Sequence, residues 1–129
     1  MVGIVVVAHN PRLSQEIINF CMELKNSDFM LENGGGTEEN NGYGTCPEVI
    51  ARAIKKANQG DGVVILCDLG SSVINAETAK ERLKDEVEVE IVDAPIVEGT
   101  IVGVSSNHPK VNLKTLVEFI KESKEFPKF

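Results

Sequence analysis

Tryptophan is absent from this 129-residue chain, tyrosine occurs once and histidine twice, so aromatic or imidazole chemistry must rest on very few side chains. Positive charge is also scarce. Thirteen lysines and arginines stand against 20 aspartates and glutamates, a formal charge of −7. Sequence-independent nucleic-acid binding needs clustered cations to displace phosphate counterions, and docking on anionic membranes needs them too; the balance argues against both. No apolar run approaches the roughly 18 residues of a spanning helix. The apolar start, Met1 to Ala8, has no positive region before it and no small-residue cleavage site after it. It reads as the first strand of a cytoplasmic protein, not as a targeting segment.

Cysteine is sparse as well. Cys21, Cys46 and Cys67 are odd in number, widely spaced and form no C-x-x-C pair. Neither a disulfide framework nor a zinc site is suggested, and all three are expected to be small buried hydrophobes in a reducing compartment. What is present fits an ordinary soluble globule, 42% hydrophobic and 26% charged. At this length, residues 1–129 are expected to form a single domain with a proper core.

Gly3 to Ala8 is a continuous apolar run rich in β-branched residues, as suits a parallel strand buried on both faces. Pro11 sits where a first helical position would be, and Leu13, Ile17, Cys21 and Leu24 follow at helical spacing, which predicts a helix over about 11–25. Phe29 to Leu31 is expected as a short second strand. Residues 33–44 hold five glycines and read as a loop. A second helix runs through Val49, Ile50, Ala53, Ile54 and Ala57, with Pro47 in its first turn. Val63 to Cys67 is another unbroken apolar strand. Ser71 or Ser72 is expected to cap a third helix reaching about Lys84. Val87 to Val92 alternates as a half-exposed edge strand, and helices over about 96–106 and 113–124 complete the chain.

Strands alternating with helices predict an α/β fold: an open, mainly parallel sheet with helices on both faces. Placing the two fully apolar strands at the centre gives the spatial order 2-1-3-4, with the glutamate-studded fourth strand at an edge. The crossover direction then reverses between strands one and three. Ligands in open α/β sheets sit at the carboxyl ends of strands flanking such a switch point. That places His9 and Asn10 after strand one beside Asp68, Leu69, Gly70 and Ser71 after strand three.

His9 is a candidate for acid–base, metal or nucleophilic work, or a strand-end histidine satisfied by a neighbour. Asp68, brought alongside, would accept the Nδ1–H, fix the tautomer and leave the Nε2 lone pair facing outward. It could equally be a helix-leading cap. No third metal ligand is evident, and His108, next to Pro109, reads as a loop histidine, so neither metal nor cofactor is expected. Amide donors of Gly70, Ser71 and Ser72 at a helix N-terminus favour anions, phosphate above all. Asn10 and Arg12 sit where the first helix begins; Arg12 could add a charge-assisted bond or simply be a solvated surface arginine. The Gly34–Thr37 turn, with Gly36 and Thr37, and Gly44–Thr45 could wall the same cleft or be simple turns. Paired acidic residues of a receiver domain, a flavodoxin phosphate loop and a G-x-x-x-x-G-K-[ST] motif are all missing, which argues against those chemistries.

The segment Gly3-Ile-Val-Val-Val-Ala-His9 with Arg12-Leu13 resembles the DhaM family, the phosphotransfer subunit of phosphoenolpyruvate-dependent dihydroxyacetone kinase, itself related to mannose-type EIIA domains. Gly35-Gly36-Thr37, Gly44-Thr45, Asp68-Leu69-Gly70-Ser71 with Asn75-Ala-Glu-Thr-Ala79, and Ala94-Pro-Ile-Val-Glu-Gly99 agree in order. The resemblance spans about residues 3–103. It implies that His9 is phosphorylated by the carrier HPr, that Asp68 orients it, and that Gly70, Ser71 and Arg12 flank it. It implies onward transfer to ADP held by DhaL, the regenerated ATP then phosphorylating dihydroxyacetone on DhaK. Ala8 and Asn10 stand where the family usually has serines, and the loop Glu38 to Tyr43 is this chain's own.

From Ala94 to Ser106 the only charged side chain is Glu98, so this helix is either buried or an interface. The family resemblance implies a homodimer. Two other functions stay open: a mannose-family EIIA domain feeding a membrane sugar transporter, and a non-catalytic regulatory module on the same fold.

Overall fold

Two five-residue strands without a charged side chain, β1 (Gly3–Val7) and β3 (Val63–Cys67), run parallel in direct register, Gly3 opposite Val63 and Val7 opposite Cys67. Every residue in both is buried, because helices cover each face of the sheet. The structure, a computed structural model, describes residues 1–39 and 42–129. Asn40 and Asn41, inside the predicted 33–44 loop, lie outside the described residues. Strand β2 (Leu31–Asn33) pairs with β1, and β4 (Val89–Val92) pairs with β3, giving the predicted order β2-β1-β3-β4, all parallel.

Helices α1 (Pro11–Met22), α4 (Ile96–Ser106) and α5 (Leu113–Lys121) cover one face through Ile17, Ile18, Val104, Leu116 and Ile120, against Ile4, Val6, Val64 and Leu66. Helices α2 (Pro47–Ala57) and α3 (Gly70–Arg82) cover the other through Ile50, Ile54, Ala76 and Ala79, against Val5, Val7 and Ile65. Burial of each such Val, Leu or Ile side chain stabilises by about 1.5–3 kcal/mol, so alternate side chains of β1 and β3 tie both helical layers to one sheet.

Several predicted boundaries move. The second strand is Leu31–Asn33 and not Phe29–Leu31, because Phe29 leaves the strand direction and plugs the core at 1% exposure. An edge strand needs no apolar run, and Glu32 and Asn33 continue it. The fourth strand starts at Val89; Val87 instead donates its N–H to Leu83 O at the end of the preceding helix. The first helix stops at Met22, and the last at Lys121, followed by a 3-10 turn over Glu122–Glu125. Helix α4 keeps Gly99, Thr100, Gly103 and Val104 against the sheet while Val97 stays exposed. Cys21 and Cys67 are buried and Cys46 is half-buried, none in a disulfide. Among the described residues no helix is long and apolar enough to cross a membrane.

Candidate active site

The chain leaves the sheet at adjacent points, after Val7 and after Cys67, and a bond from Asp68 N–H to Val7 O at 3.1 Å continues the ladder one step past the strands. His9 and Asp68 therefore emerge side by side on rigid backbone. The His9 N–H donates to Asp68 Oδ2 at 2.9 Å, and the ring Nδ1 lies 3.0 Å from Oδ1 and 3.1 Å from Oδ2. A carboxylate can only accept, so the network assigns the imidazole proton to Nδ1. Nε2 is then an unprotonated lone pair. It accepts from the Ser71 hydroxyl at 2.5 Å. The His9 side chain is 30% exposed and that of Asp68 13%, so the ring is reachable while its partner is shielded.

Asp68 is held by more than the histidine. Ser72 Oγ donates to Oδ1 at 2.7 Å and the Leu69 N–H to the same oxygen at 2.7 Å. Burial alone would raise this carboxyl, but the bonds from the His9 amide, Ser72, the Leu69 amide and the His9 ring outweigh it and hold it below the usual carboxylate range. A carboxylate kept ionised in this way can stabilise a cation formed on the ring. Its neighbour Cys67 goes the other way: burial, with Asp68 and Glu77 adding repulsion, pushes the thiol up to about 12. That thiol is no nucleophile at neutral pH.

The serine pair departs from expectation. The residue at the N-cap of α3 is Leu69, which makes no side-chain cap bond, and neither serine caps the helix. Ser72 is fully buried, its hydroxyl spent on Asp68 and its N–H on Leu69 O, so it has no donor left for a phosphate. Ser71, exposed, faces Nε2. Among the described residues the Gly70 and Ser71 amides have no protein acceptor, and a Cβ built on Gly70 would meet nothing within 4 Å. The open first turn of α3 can thus approach an anion closely. A shallow cleft of about 290 Å³ continues from it between the ends of β3 and β4, lined by Leu69, Gly70, Val73, Glu77 and Asp93 among others.

The other predicted anion donors are placed differently. Asn10 caps α1, its side-chain oxygen accepting the Arg12 N–H at 2.9 Å. The Arg12 guanidinium reaches away to Tyr43, donating to the phenol oxygen at 2.8 Å. Gly36 donates its N–H to Ala8 O at 3.3 Å and bridges Thr45, and half-exposed Thr37 packs beside Gly44, so this pair ties the loop to the end of β1. Gly44 has φ +106, a conformation open to glycine, and from it donates to His9 O at 2.7 Å. His108 is an exposed loop residue, as expected, and no group of three metal-ligating residues occurs among the described residues.

Asn33 was missed by sequence reasoning, and Gly35 and Asn75 were named there without their tasks. Asn33 accepts from Ser14 Oγ at 2.7 Å and the Gly35 N–H at 2.9 Å and donates to Pro11 O at 2.9 Å, clamping the loop to α1. Gly35 is needed there, since a Cβ would lie 2.5 Å from Ser14 Oγ and 2.6 Å from Ala8 O. Asn75 holds Thr45 through its hydroxyl at 2.8 Å, tying α3 to the same loop. Tyr43, exposed on the rim, gave no signal beyond being the single tyrosine.

Known proteins resemble this chain in sequence and in fold. The EIIA-man family model, described as PTS system fructose IIA component, matches residues 3–120. The chain is 33% identical over 101 residues to the phosphoryl donor subunit DhaM of PEP-dependent dihydroxyacetone kinase 2 from Listeria innocua, covering 77% of this chain and 80% of that one. It is 32% identical over 110 residues to the DhaM subunit of Escherichia coli, covering 82% of this chain and 23% of that protein. Among solved structures it is similar to the phosphotransferase system component EIIA from Streptococcus agalactiae, with a TM-score of 0.71 at 14% identity over 97% of this chain and 93% of that one. That last likeness is one of fold alone.

Proposed function

Since this chain belongs to the EIIA-man family and has the DhaM phosphoryl donor subunits among its relatives, we propose that it is a phosphohistidine carrier serving dihydroxyacetone phosphorylation. The observation that carries the reading is the His9–Asp68 pair with Nδ1–H on the carboxylate and a lone pair on half-exposed Nε2. The donor in this reading is the phosphorylated carrier protein HPr. His9 Nε2 attacks its phosphorus in line; the new N–P bond forms as the donor's N–P bond breaks, and the donor imidazole leaves with the electron pair. The ring becomes cationic, its proton staying on Nδ1, and Asp68 balances that charge. The Ser71 hydroxyl turns from Nε2 to a phosphoryl oxygen, and the Gly70 and Ser71 amides share the equatorial charge.

Onward transfer is the same displacement in the other direction. A β-phosphate oxygen of ADP on DhaL attacks, the P–N bond breaks, and His9 returns neutral with its Nδ1 proton in place. ATP then serves DhaK. The protein contributes positioning and electrostatics, and the shallow open site suits two macromolecular partners entering in turn. Residues 1–129 act here as one cytoplasmic phosphotransfer domain, working as a homodimer.

A second reading has one observation in its favour, the family description as a fructose IIA component: a domain feeding a membrane sugar transporter. Incubation with phosphoenolpyruvate, enzyme I and HPr tests the chemistry. An acid-labile, base-stable phosphate that is absent from His9→Ala supports the carrier; a phosphate that survives in that variant, or none at all, sinks it. Adding DhaK, DhaL and dihydroxyacetone separates the two acceptors, because a sugar-transport domain yields no dihydroxyacetone phosphate.

A further inference from the structure

The phosphohistidine reading leaves Tyr43 without a task and Arg12 away from the histidine, yet the two are joined. Arg12 lies in the first turn of α1, three residues after His9, and Tyr43 immediately precedes Gly44, whose N–H is bonded to the His9 carbonyl. Both side chains spring from backbone tied to the histidine. The guanidinium donates to the phenol oxygen at 2.8 Å, and its carbon lies 5.7 Å from the ring centre. One aromatic residue thus holds the cation twice, by its hydroxyl and by its face. Tyr43 is 66% exposed, so its ring fills no core volume.

We propose that Tyr43 is a positioning residue that stores the Arg12 guanidinium at the rim of the His9 site and releases it to a phosphoryl group on Nε2. The proposal rests on the phosphohistidine reading above. In the unphosphorylated protein the Asp68 carboxylate is already engaged by four donors, the His9 amide and ring, the Leu69 amide and the Ser72 hydroxyl. It offers the guanidinium little. A phosphoryl group brings up to about two negative charges and three strong acceptors, which arginine meets with paired parallel bonds. An exposed ring contact with one neutral hydrogen bond is the weaker hold, and the cation moves. No covalent bond changes in that exchange. Tyr43 in this way tempers the grip of Arg12 on the phosphoryl group, and a carrier that grips too hard cannot donate.

The test uses the whole chain and phosphoramidate, which needs no protein partner. In its zwitterionic form the reagent gives up its phosphoryl group: the His9 Nε2–P bond forms, the P–N bond of the reagent breaks, and ammonia leaves with the electron pair. The His9 signal is the phosphorus resonance missing from His9→Ala. Arg12 side-chain proton resonances, shifted by the Tyr43 ring in the free protein, are expected to lose that shift on phosphorylation. Tyr43→Ala should lengthen the phosphohistidine lifetime by about threefold, the worth of an exposed cation–ring contact. Tyr43→Phe should fall between, Arg12→Ala should shorten the lifetime, and the double variant should match Arg12→Ala. Arg12 resonances that stay put on phosphorylation, or a Tyr43→Ala effect undiminished without Arg12, overturn the role of Tyr43 and leave the carrier reading standing. A wild-type chain that takes no phosphate at His9 overturns both.

Discussion

Helices α1 and α3 both begin within two residues of the His9–Asp68 pair, and their N-termini are built in opposite ways. At α1, Pro11 carries no N–H, the Asn10 side chain takes the Arg12 N–H, and the Asn10 carbonyl takes those of Leu13 and Ser14. That end is closed. At α3, Leu69 offers no capping side chain, and the Gly70 and Ser71 amides have no acceptor among the described residues. A missing cap costs about 1 kcal/mol, a sizeable part of a small domain's net stability. The chain satisfies that end of α1 locally and leaves α3 open, with its serine hydroxyls turned to His9 and Asp68. Stability is built at one helix start and ligand chemistry at the other.

The comparison breaks most sharply at Asp68, which fixes α3 to the histidine. In Asp68→Asn an amide N–H₂ replaces one acceptor oxygen, so Nδ1 is driven to accept and the proton moves to Nε2. The nucleophilic lone pair is lost. Phosphoryl uptake, followed by phosphorus NMR, is expected to fall by up to about 10⁴-fold, the loss when a triad histidine is put in the wrong tautomer. A loss below tenfold would mean that Asp68 is only a helix-leading cap.

Gly70→Pro makes α3 resemble α1. Leu69 sits at φ −114 and ψ 167, an extended conformation that tolerates a following proline, and nothing lies within 4 Å of a Cβ at position 70. The substitution removes one open donor at a first helical position where proline is accepted. Thermal stability should hold or rise slightly, by about 0.4–1 kcal/mol, while phosphoryl uptake should drop by about 10- to 100-fold. Uptake at the wild-type rate would show that this amide does not meet the phosphoryl group.

The contrast between the two helix starts was only half legible in the sequence. The sheet order and the meeting of His9 with Asp68 were readable, because two unbroken apolar strands have to be central and a parallel sheet has a defined switch point. Pro11 and Asn10 were readable for a local reason: proline and a capping amide act within a few residues of themselves. Ser71 and Ser72 misled, because their hydroxyls serve His9, 62 residues earlier, and Asp68, just ahead of the helix, instead of capping their own helix. Phe29 misled in the same way, its apolar character belonging to the core and not to a strand. Nothing local marks the Arg12–Tyr43 contact, which spans 31 residues and depends on how the glycine-rich loop returns to His9.

A smaller effect sharpens the closed end. Asn10→Ala removes the acceptor for the Arg12 N–H and should cost about 1 kcal/mol in denaturant unfolding. Its effect on phosphoryl uptake should be smaller than that of Gly70→Pro. If uptake suffers more than stability, the α1 start belongs to the ligand after all.

The smallest expected effect separates the two ends by charge. The Leu69 N–H is held by a carboxylate and the Arg12 N–H by a neutral amide. The Asp68 carboxyl is held below its ordinary value of 3.8, with burial opposing and hydrogen bonds prevailing. A carboxyl depressed in the folded state contributes stability that is complete above the ordinary value and is lost as pH falls through the lower, folded one. Acid should therefore loosen the start of α3 while the α1 cap stays closed. In an amide NMR titration, Leu69 should shift with an inflection below 3.8 and Arg12 should stay flat over the same range. Equal titration of both amides, or a Leu69 inflection at or above the ordinary carboxylate value, would remove the distinction between a helix start held by charge and one held by a neutral cap.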